Sequence, residues 1–341
     1  MNKFTNDIKP KESDIMERKK ILLISTGGTI VCRDRGRGLV PVLSAADLLR
    51  HVPQINDLCS TATMDLYRLD STDMTPVEWQ GVASVIHKDY EKYDGFIITH
   101  GTDTLAYASA ALSCLIRNSP KPIVLTGSQI PMGQRGSDAS SNLFDAFTWA
   151  CHPEARGVHI VFAGRVIRGM RARKRHTTDT DAFESVNCPD RATIRSGRVM
   201  ITPHTAPVRY PSPGLSDQLN TNVALAHLTP GMSPALIARM AEGLNALVVE
   251  GVGIGGIPDT LTPVLTELAD NGLWLVLTSQ VPYGTCDFTV YRVGRRIAEA
   301  CGDRVITTRD VPVEATFAAT MWALTQEDFP TAFSRALKGD M

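Results

Sequence analysis

The sequence has few aromatic residues, no paired cysteine spacing and no excess of charge of either sign. Phe, Trp and Tyr make up 6% of its 341 residues, so a core has to be built mainly from aliphatic side chains. Lys and Arg number 35 against 36 Asp and Glu, a formal net charge of −1. That balance argues against nucleic-acid binding as the business of the whole surface, which would need a basic face. No apolar run approaches the roughly 18–20 residues of a membrane-crossing helix. The seven cysteines, Cys32, Cys59, Cys114, Cys151, Cys188, Cys286 and Cys301, are scattered, odd in number and never spaced C-x-x-C. This excludes a disulfide framework or zinc knuckle and fits reduced thiols in a cytoplasmic protein. No H-E-x-x-H pair is present, so the zinc-hydrolase signature is missing too. The opening segment, MNKFTNDIKPKESDIMERKK, is polar and lysine-rich without an apolar h-region, so no secretory signal is expected. Residues 1–19 read as a flexible tail, and Met16 offers an alternative start.

What is present is ordinary globular composition, 43% hydrophobic and 21% charged, with length for one large or two medium domains. From Lys20 the chain alternates short apolar runs with helical patterns. Ile21–Ser25, Gly95–Thr99, Pro122–Thr126 and Val158–Ala163 are continuous rather than alternating, as strands covered on both faces should be. Ser44 and Thr75-Pro76 look like capped helix starts, and Leu105–Ile116 reads as a buried helix. Pro203, Pro207, Pro211, Pro213 and Gly214 interrupt both helix and strand. A second α/β pattern follows: strands at Asn222–His227, Ala246–Glu250 and Leu273–Thr278, with helices from Ser233-Pro234 and Thr262-Pro263. The expected fold is α/β, with a large N-terminal, doubly wound, mostly parallel sheet domain (20–205). A Pro-rich linker (206–220) and a smaller C-terminal α/β domain (221–341) complete it.

Three strand ends carry polar, Gly-rich loops: Thr26-Gly-Gly-Thr29, His100-Gly-Thr-Asp-Thr104 and Gly127-Ser-Gln129. Glycine lets backbone approach a ligand closely and points N–H groups at an anion. Singly, each is an ordinary βα turn. Together, three loops at one sheet edge presenting Thr29, Thr102 and Asp103 make a site.

LLISTGGTI, YDGFIITHGTDTLAY and PIVLTGSQIPM resemble the signature regions of the asparaginase/glutaminase family. LDSTDMTPVEW (69–79), RGMRARKRHTTDTDAFES (168–185) and EGVGIGGIP (250–258) also resemble it, closest to the type I, cytoplasmic, L-asparaginase branch. The resemblance runs from about Ile21 to the C-terminus. It implies hydrolysis of L-asparagine to L-aspartate and ammonia through a threonine acyl-enzyme, with no cofactor and no metal. It places Thr29 as the first-loop nucleophile, with Thr102, Asp103 and Lys174 as the second threonine and its partners. A threonine hydroxyl is a weak nucleophile that needs a neighbouring base. A lysine amine can be that base where burial or nearby cations disfavour its charged form; Arg171, Arg173 and Arg175 lie close in sequence, and Asp103 opposes them. Asp70, Ser71 and Thr72 would hold the substrate's α-carboxylate and α-amino group. Gly28, Gly101 and Ser128 would complete the contacts, the glycines through N–H groups to the developing oxyanion. Ser71-Thr-Asp73 could also cap the helix expected from Pro76. The resemblance further implies a homodimer or homotetramer with a small-molecule substrate, without nucleic-acid or membrane partners.

Two positions depart from the family pattern. Leu39 stands where some members carry an aromatic residue in the loop after the first threonine, and Ala319 stands where a lysine is usual. Competing readings are weaker. Gly251-x-Gly253-x-x-Gly256 has dinucleotide-loop spacing, but the acidic residue expected about 20 positions on is replaced by an apolar strand. The run Arg165, Arg168, Arg171, Arg173, Lys174, Arg175 could be an RNA patch, as in the family's tRNA amidotransferase subunit. It reads better as a solvated, partly ion-paired loop bearing one catalytic lysine. A non-catalytic or gated amino-acid sensor would be favoured if the nucleophile were missing, and a glutamine or specialised amide hydrolase remains open.

Overall fold

The computed structural model describes residues 18–34, 36, 38–203, 213–288, 290 and 292–338, with backbone alone for 292–294. Most of the expected tail and residues 206–212 of the expected linker lie outside that set. The large sheet is built from β1 (Lys20–Gly27), β2 (Ser60–Leu69), β3 (Gly95–Thr99), β4 (Pro122–Thr126), β5 (Gly157–Phe162), β6 (Arg165–Arg168), β7 (Ala192–Arg195) and β8 (Arg198–Ile201). Its order is β8-β7-β6-β5-β4-β3-β1-β2. The β2-β1, β1-β3, β3-β4 and β4-β5 pairings are parallel, and those from β5 to β8 are antiparallel.

The continuous apolar runs are explained by the two faces they serve. In β1, Ile21 and Leu23 enter one core cluster while Leu22 and Ile24 enter another. Phe96 and Ile98 of β3 and Ile123 and Leu125 of β4 join the second, with Ile97 and Val124 opposite. A strand's period of two therefore demands apolar residues at every position here. The antiparallel extension was not expected from the sequence, which placed Ala163 in a strand. Ala163 (φ 50°) and Gly164 (φ 72°) instead form a two-residue turn, and Ser196 (φ 49°) and Gly197 (φ 72°) form another. Two successive positive φ values match the twist of a tight hairpin.

The second sheet is all parallel, in the order β9 (Val223–His227), β10 (Ala246–Gly251), β11 (Trp274–Ser279), β12 (Val305–Thr307). The fold is thus the expected pair of α/β domains, mostly parallel in the larger and wholly parallel in the smaller. Helix Val313–Ala323 lies between them. It packs on helix Leu105–Leu115 and on β9, β10 and β11, and its core residues share one cluster with both sheets. All its residues but Phe317 are buried, as a helix without a polar face must be. Thr316 donates to Pro312 O and Thr320 to Thr316 O, so their buried hydroxyls stay satisfied. Ala319 is fully buried on this helix, so the departure there concerns packing inside the chain and not its surface. Ser44 and Thr75 close capping boxes with Asp47 and Glu78.

Burial holds two histidines neutral. It pushes His100 down to about 4 and, with Arg168 and Arg191 nearby, His159 down to about 3. A histidine whose folded value lies below the unfolded 6.5 contributes stability that is complete above pH 6.5 and is lost as pH falls. Each accounts for about 1.4 kcal/mol per pH unit below 6.5. Half-buried Asp145, raised to about 6 by desolvation, offsets roughly one of the two below pH 6. Urea denaturation between pH 7 and pH 5 should therefore show unfolding free energy falling by on the order of 1 kcal/mol per unit below 6.5. A flat profile across that window would contradict the burial of these rings.

Candidate active site

The carboxyl ends of β4, β3, β1 and β2 are neighbours, which brings all three Gly-rich loops and the Asp70 turn to one edge. The β1-β2 pairing slips between Ser25 and Gly27, so that Gly27 faces Leu69. Gly27 has φ 112°, and a Cβ there would lie 2.2 Å from Leu69 O. Gly28 has φ 76°, and a Cβ there would lie 2.3 Å from Gly101 N. Gly28 N donates to Leu69 O at 2.9 Å. These contacts press the first loop against the second and require glycine at both positions. Thr29 follows, opening a 3-10 turn over Thr29–Val31. It is half-buried, and its hydroxyl has no hydrogen-bond partner among the described residues.

Lys174 arrives from outside the parallel strands, on the short strand Ala172–Lys174 paired antiparallel with Phe183–Ser185. Its Nζ donates to Thr102 Oγ1 at 2.8 Å and to Asp103 Oδ1 at 2.6 Å. Thr102 is 5% exposed, whereas the Asp103 side chain is 55% exposed, so the carboxylate still faces solvent. Thr102 Oγ1 donates in turn to Gln129 Oε1 at 3.0 Å. Gln129 Nε2 donates to the carbonyls of Thr177 and Asp179 at 3.0 and 3.1 Å. Carbonyls only accept, so these partners fix the amide's orientation and aim its oxygen at Thr102. Buried Asp138 accepts from Gln129 N, Ile130 N and Asn142 Nδ2, which sets the third loop.

The remaining expected contacts fall into two groups. Ser71 ties the loops together: its Oγ accepts from Asp103 N at 3.3 Å and its carbonyl from Thr104 Oγ1 at 2.7 Å. A Cβ on Gly101 would lie 2.5 Å from Ser71 Oγ. Asp70 Oδ1 accepts from Thr72 N and Thr72 Oγ1 at 2.9 and 3.0 Å. Ser128 is fully buried and its Oγ donates to Ile130 O at 2.7 Å, so its hydroxyl is committed within its own loop. Ser71-Thr-Asp73 does not cap the helix at Pro76; Thr75 does, and Asp70 caps the 3-10 turn Ser71–Asp73.

The arginine run is not a solvated loop. Arg168 and Arg171 are buried; Arg168 donates to Pro189 O and Arg171 pairs with Asp310. Arg165 binds Asp190 through two nitrogens, and Arg175 pairs with Asp181. The planar guanidinium can be buried because its fork finds enough acceptors. Leu39, in the Cys32–Asp34 to Leu39–Pro41 hairpin, is exposed. Cys32 is buried with Sγ on Gly28 O, a packed thiol. Among the described residues no three His, Cys, Asp or Glu side chains are spaced to hold a metal ion, and no helix is long and apolar enough to cross a membrane.

A hydroxyl, an amine and a carboxylate in contact at parallel strand ends are the kinds of group that amide hydrolysis uses. Residues 20–206 match the family described as asparaginase, N-terminal, and residues 222–337 the glutaminase/asparaginase C-terminal domain; the chain belongs to the asparaginase family. It is 39% identical over 309 residues to the L-asparaginase of Thermococcus kodakarensis, covering 89% of this chain and 92% of that one. The solved structure of that thermostable L-asparaginase matches with a TM-score of 0.87 at 37% identity, over 94% of this chain and 99% of the other. A glutamyl-tRNA(Gln) amidotransferase component of Pyrococcus furiosus is 34% identical over 336 residues, 94% of this chain and 74% of that longer protein.

Replacing Gly28 with alanine forces a Cβ against the Gly101 backbone at a positive φ. Strain of that kind costs about 1–3 kcal/mol. Gly28→Ala should lower the thermal midpoint by a few degrees in scanning calorimetry, and an unchanged midpoint would mean the loops have room to part.

Proposed function

We propose that the protein hydrolyses the side-chain amide of L-asparagine to give L-aspartate and ammonia, through an acyl-enzyme on Thr29. The observation that carries the reading is Lys174 Nζ held between Thr102 Oγ1 and Asp103 Oδ1 in a member of this family. Thr29 suits the nucleophile because its hydroxyl is uncommitted, whereas that of Thr102 is engaged on both sides. Thr29 Oγ1 bonds to the amide carbon, the C–N bond breaks, and the hydroxyl proton leaves with ammonia. Water then attacks the ester, and its proton returns to Thr29 as aspartate departs. Thr102 and Lys174 carry protons between these steps, with Asp103 steadying the lysine. As the bonds stand, Lys174 donates to Thr102 and Thr102 donates to Gln129. For Thr102 to pass a proton to a neutral Lys174, its hydroxyl must turn away from Gln129. The backbone N–H of Gly101 suits the developing oxyanion, whereas that of Gly28, expected to share the role, is taken by Leu69 O.

Asp103, open to solvent, suits the substrate ammonium, and the Ser71 hydroxyl suits its carboxylate; Thr72 joins it only by turning its hydroxyl off Asp70. Asp70 acts through Thr72, which it fixes. Ser128 contributes through its backbone. The same reading makes residues 20–205 the catalytic domain, joined through 206–220 to a C-terminal domain at 221–341. It makes the protein a cytoplasmic homodimer or homotetramer. A gated enzyme or sensor would have room for a second ligand in a cavity of about 370 Å³ at the ends of β10 and β11, lined by Arg173, Asn187, Thr278, Ser279 and Asp310.

Ammonia release from L-asparagine and L-glutamine by wild type, Thr29→Ala and Thr102→Ala tests the proposal. Asparagine turnover should fall by about 10⁴-fold in both variants, beyond any packing effect of one small side chain. No turnover by wild type, with asparagine still raising the melting temperature, would favour the gated or sensor reading. No turnover and no thermal shift would sink the asparagine assignment. Light scattering should return at least twice the chain mass of 37.1 kDa, and a monomer would overturn the assembly.

A further inference from the structure

One side chain touches both Thr102 and the turn that follows Lys174. Gln129 Oε1 accepts from Thr102 Oγ1 at 3.0 Å, and Gln129 Nε2 donates to Thr177 O at 3.0 Å and to Asp179 O at 3.1 Å. Both carbonyls belong to the turn 175–182, which joins the strand Ala172–Lys174 to its partner Phe183–Ser185. The backbone of Gln129 is held as well, because its N–H donates to both carboxylate oxygens of Asp138. With its N–H fixed at one end and its amide at the other, the side chain has no second orientation that keeps these bonds. In the hydrolysis proposed above, Gln129 is merely the group that the Thr102 hydroxyl must turn away from.

We propose that Gln129 is a positioning residue that sets which way the proton between Thr102 and Lys174 points, an inference that rests on the reading of that pair as the relay. A hydroxyl has one proton to give. Given to Gln129 Oε1, it leaves the oxygen lone pairs for Lys174 Nζ, 2.8 Å away, which is then the donor. That arrangement favours the ammonium. Given to Lys174 instead, the same proton makes the neutral amine the acceptor and strands the Gln129 oxygen. The two arrangements differ by one hydrogen bond, a bias of roughly 3- to 10-fold. Gln129 therefore holds the relay charged at rest, and the amine becomes a base only as the hydroxyl swings off the amide. The charges nearby are the same in either arrangement. Asp103 of the second loop binds Nζ at 2.6 Å. On the lysine's own strand and turn, Arg173 faces the second-domain cavity and Arg175 pairs with Asp181. On the partner strand Glu184 accepts from the Tyr283 hydroxyl, and Asp138 is committed to the N–H groups of the third loop.

Trace acetylation of the full chain over a series of pH values, mapped by peptide mass spectrometry, reads the pH at which Lys174 becomes a free amine and needs no turnover. Gln129→Met keeps the length of the side chain and drops the acceptor, so that point should fall by about half to one unit relative to wild type. Gln129→Glu holds the Thr102 proton more strongly, so the point should rise. Thr102→Val removes the link, and on that background the first shift should vanish and the second shrink. The acid limb of kcat for asparagine should move in the same two directions, whereas a loop that had only lost its shape would lower kcat and leave the limb in place. Lys174 labelling at one pH in wild type and both Gln129 variants, or shifts left whole by Thr102→Val, would overturn the proposal. Gln129→Glu, with and without Thr102→Val, carries the test where Gln129→Met does not fold. The expected labelling shifts in a protein that releases no ammonia from asparagine would uphold the role of Gln129 and place the failure in the substrate assignment.

Discussion

The structure depends on a place where no side chain fits. Gly28 and Gly101 bring the first and second loops together backbone to backbone, and Gly27 closes on Leu69 in the same way. The neighbouring strands β1, β3 and β2 could otherwise end in separate turns. Because they touch, the loops that carry Thr29, Thr102 and Ser71 meet on three different chain segments. The slip in the β1-β2 register is part of the same arrangement, since it carries Gly27 to Leu69. Helix formation nearby follows from ordinary capping, but the site follows from this close approach.

Charge is distributed around that contact by depth. Thr102 is buried, Lys174 is mostly covered, and Asp103 opens to solvent. One ammonium therefore joins an interior hydroxyl to a carboxylate that a soluble substrate can reach. The lysine belongs to a small two-stranded ribbon, not to the parallel sheet, so the site is clasped from two directions. The Gln129 amide belongs to the same clasp: it holds Thr102 on one side and the carbonyls of residues 177 and 179 on the other.

Much of this was legible in the sequence. Most strands of the parallel sheets fall within one or two residues of the apolar runs, because a strand buried on both faces leaves no polar gap to misread; β2 and β12, neither of them fully buried, were not read as strands. The threonines, Asp103 and Lys174 were legible through the long motifs of the family. The hairpins beyond β5 were not, since their turns rest on Ala163 and Ser196 at positive φ, which composition does not announce. The buried arginines were misread for a related reason: a run of cations looks solvated until its acceptors, such as Pro189 O and Asp310, are placed in space. Asp138 and Asn142 carried no local signal, because what they fix is the loop of Ser128 and Gln129 and not a ligand.

Helix Val313–Ala323 comes later in the chain than every strand of either sheet, yet the second sheet and helix Leu105–Leu115 pack against it. That face of the second sheet cannot be covered until that segment has left the ribosome. Contacts between residues some two hundred apart, such as those of this helix with Leu105–Leu115, close a large loop and form late. Until then an apolar face of the second sheet stands exposed, which is the state that aggregates and that chaperones hold. The order of elements along the sequence thus makes the interval before this helix emerges a hazardous one in the making of the molecule.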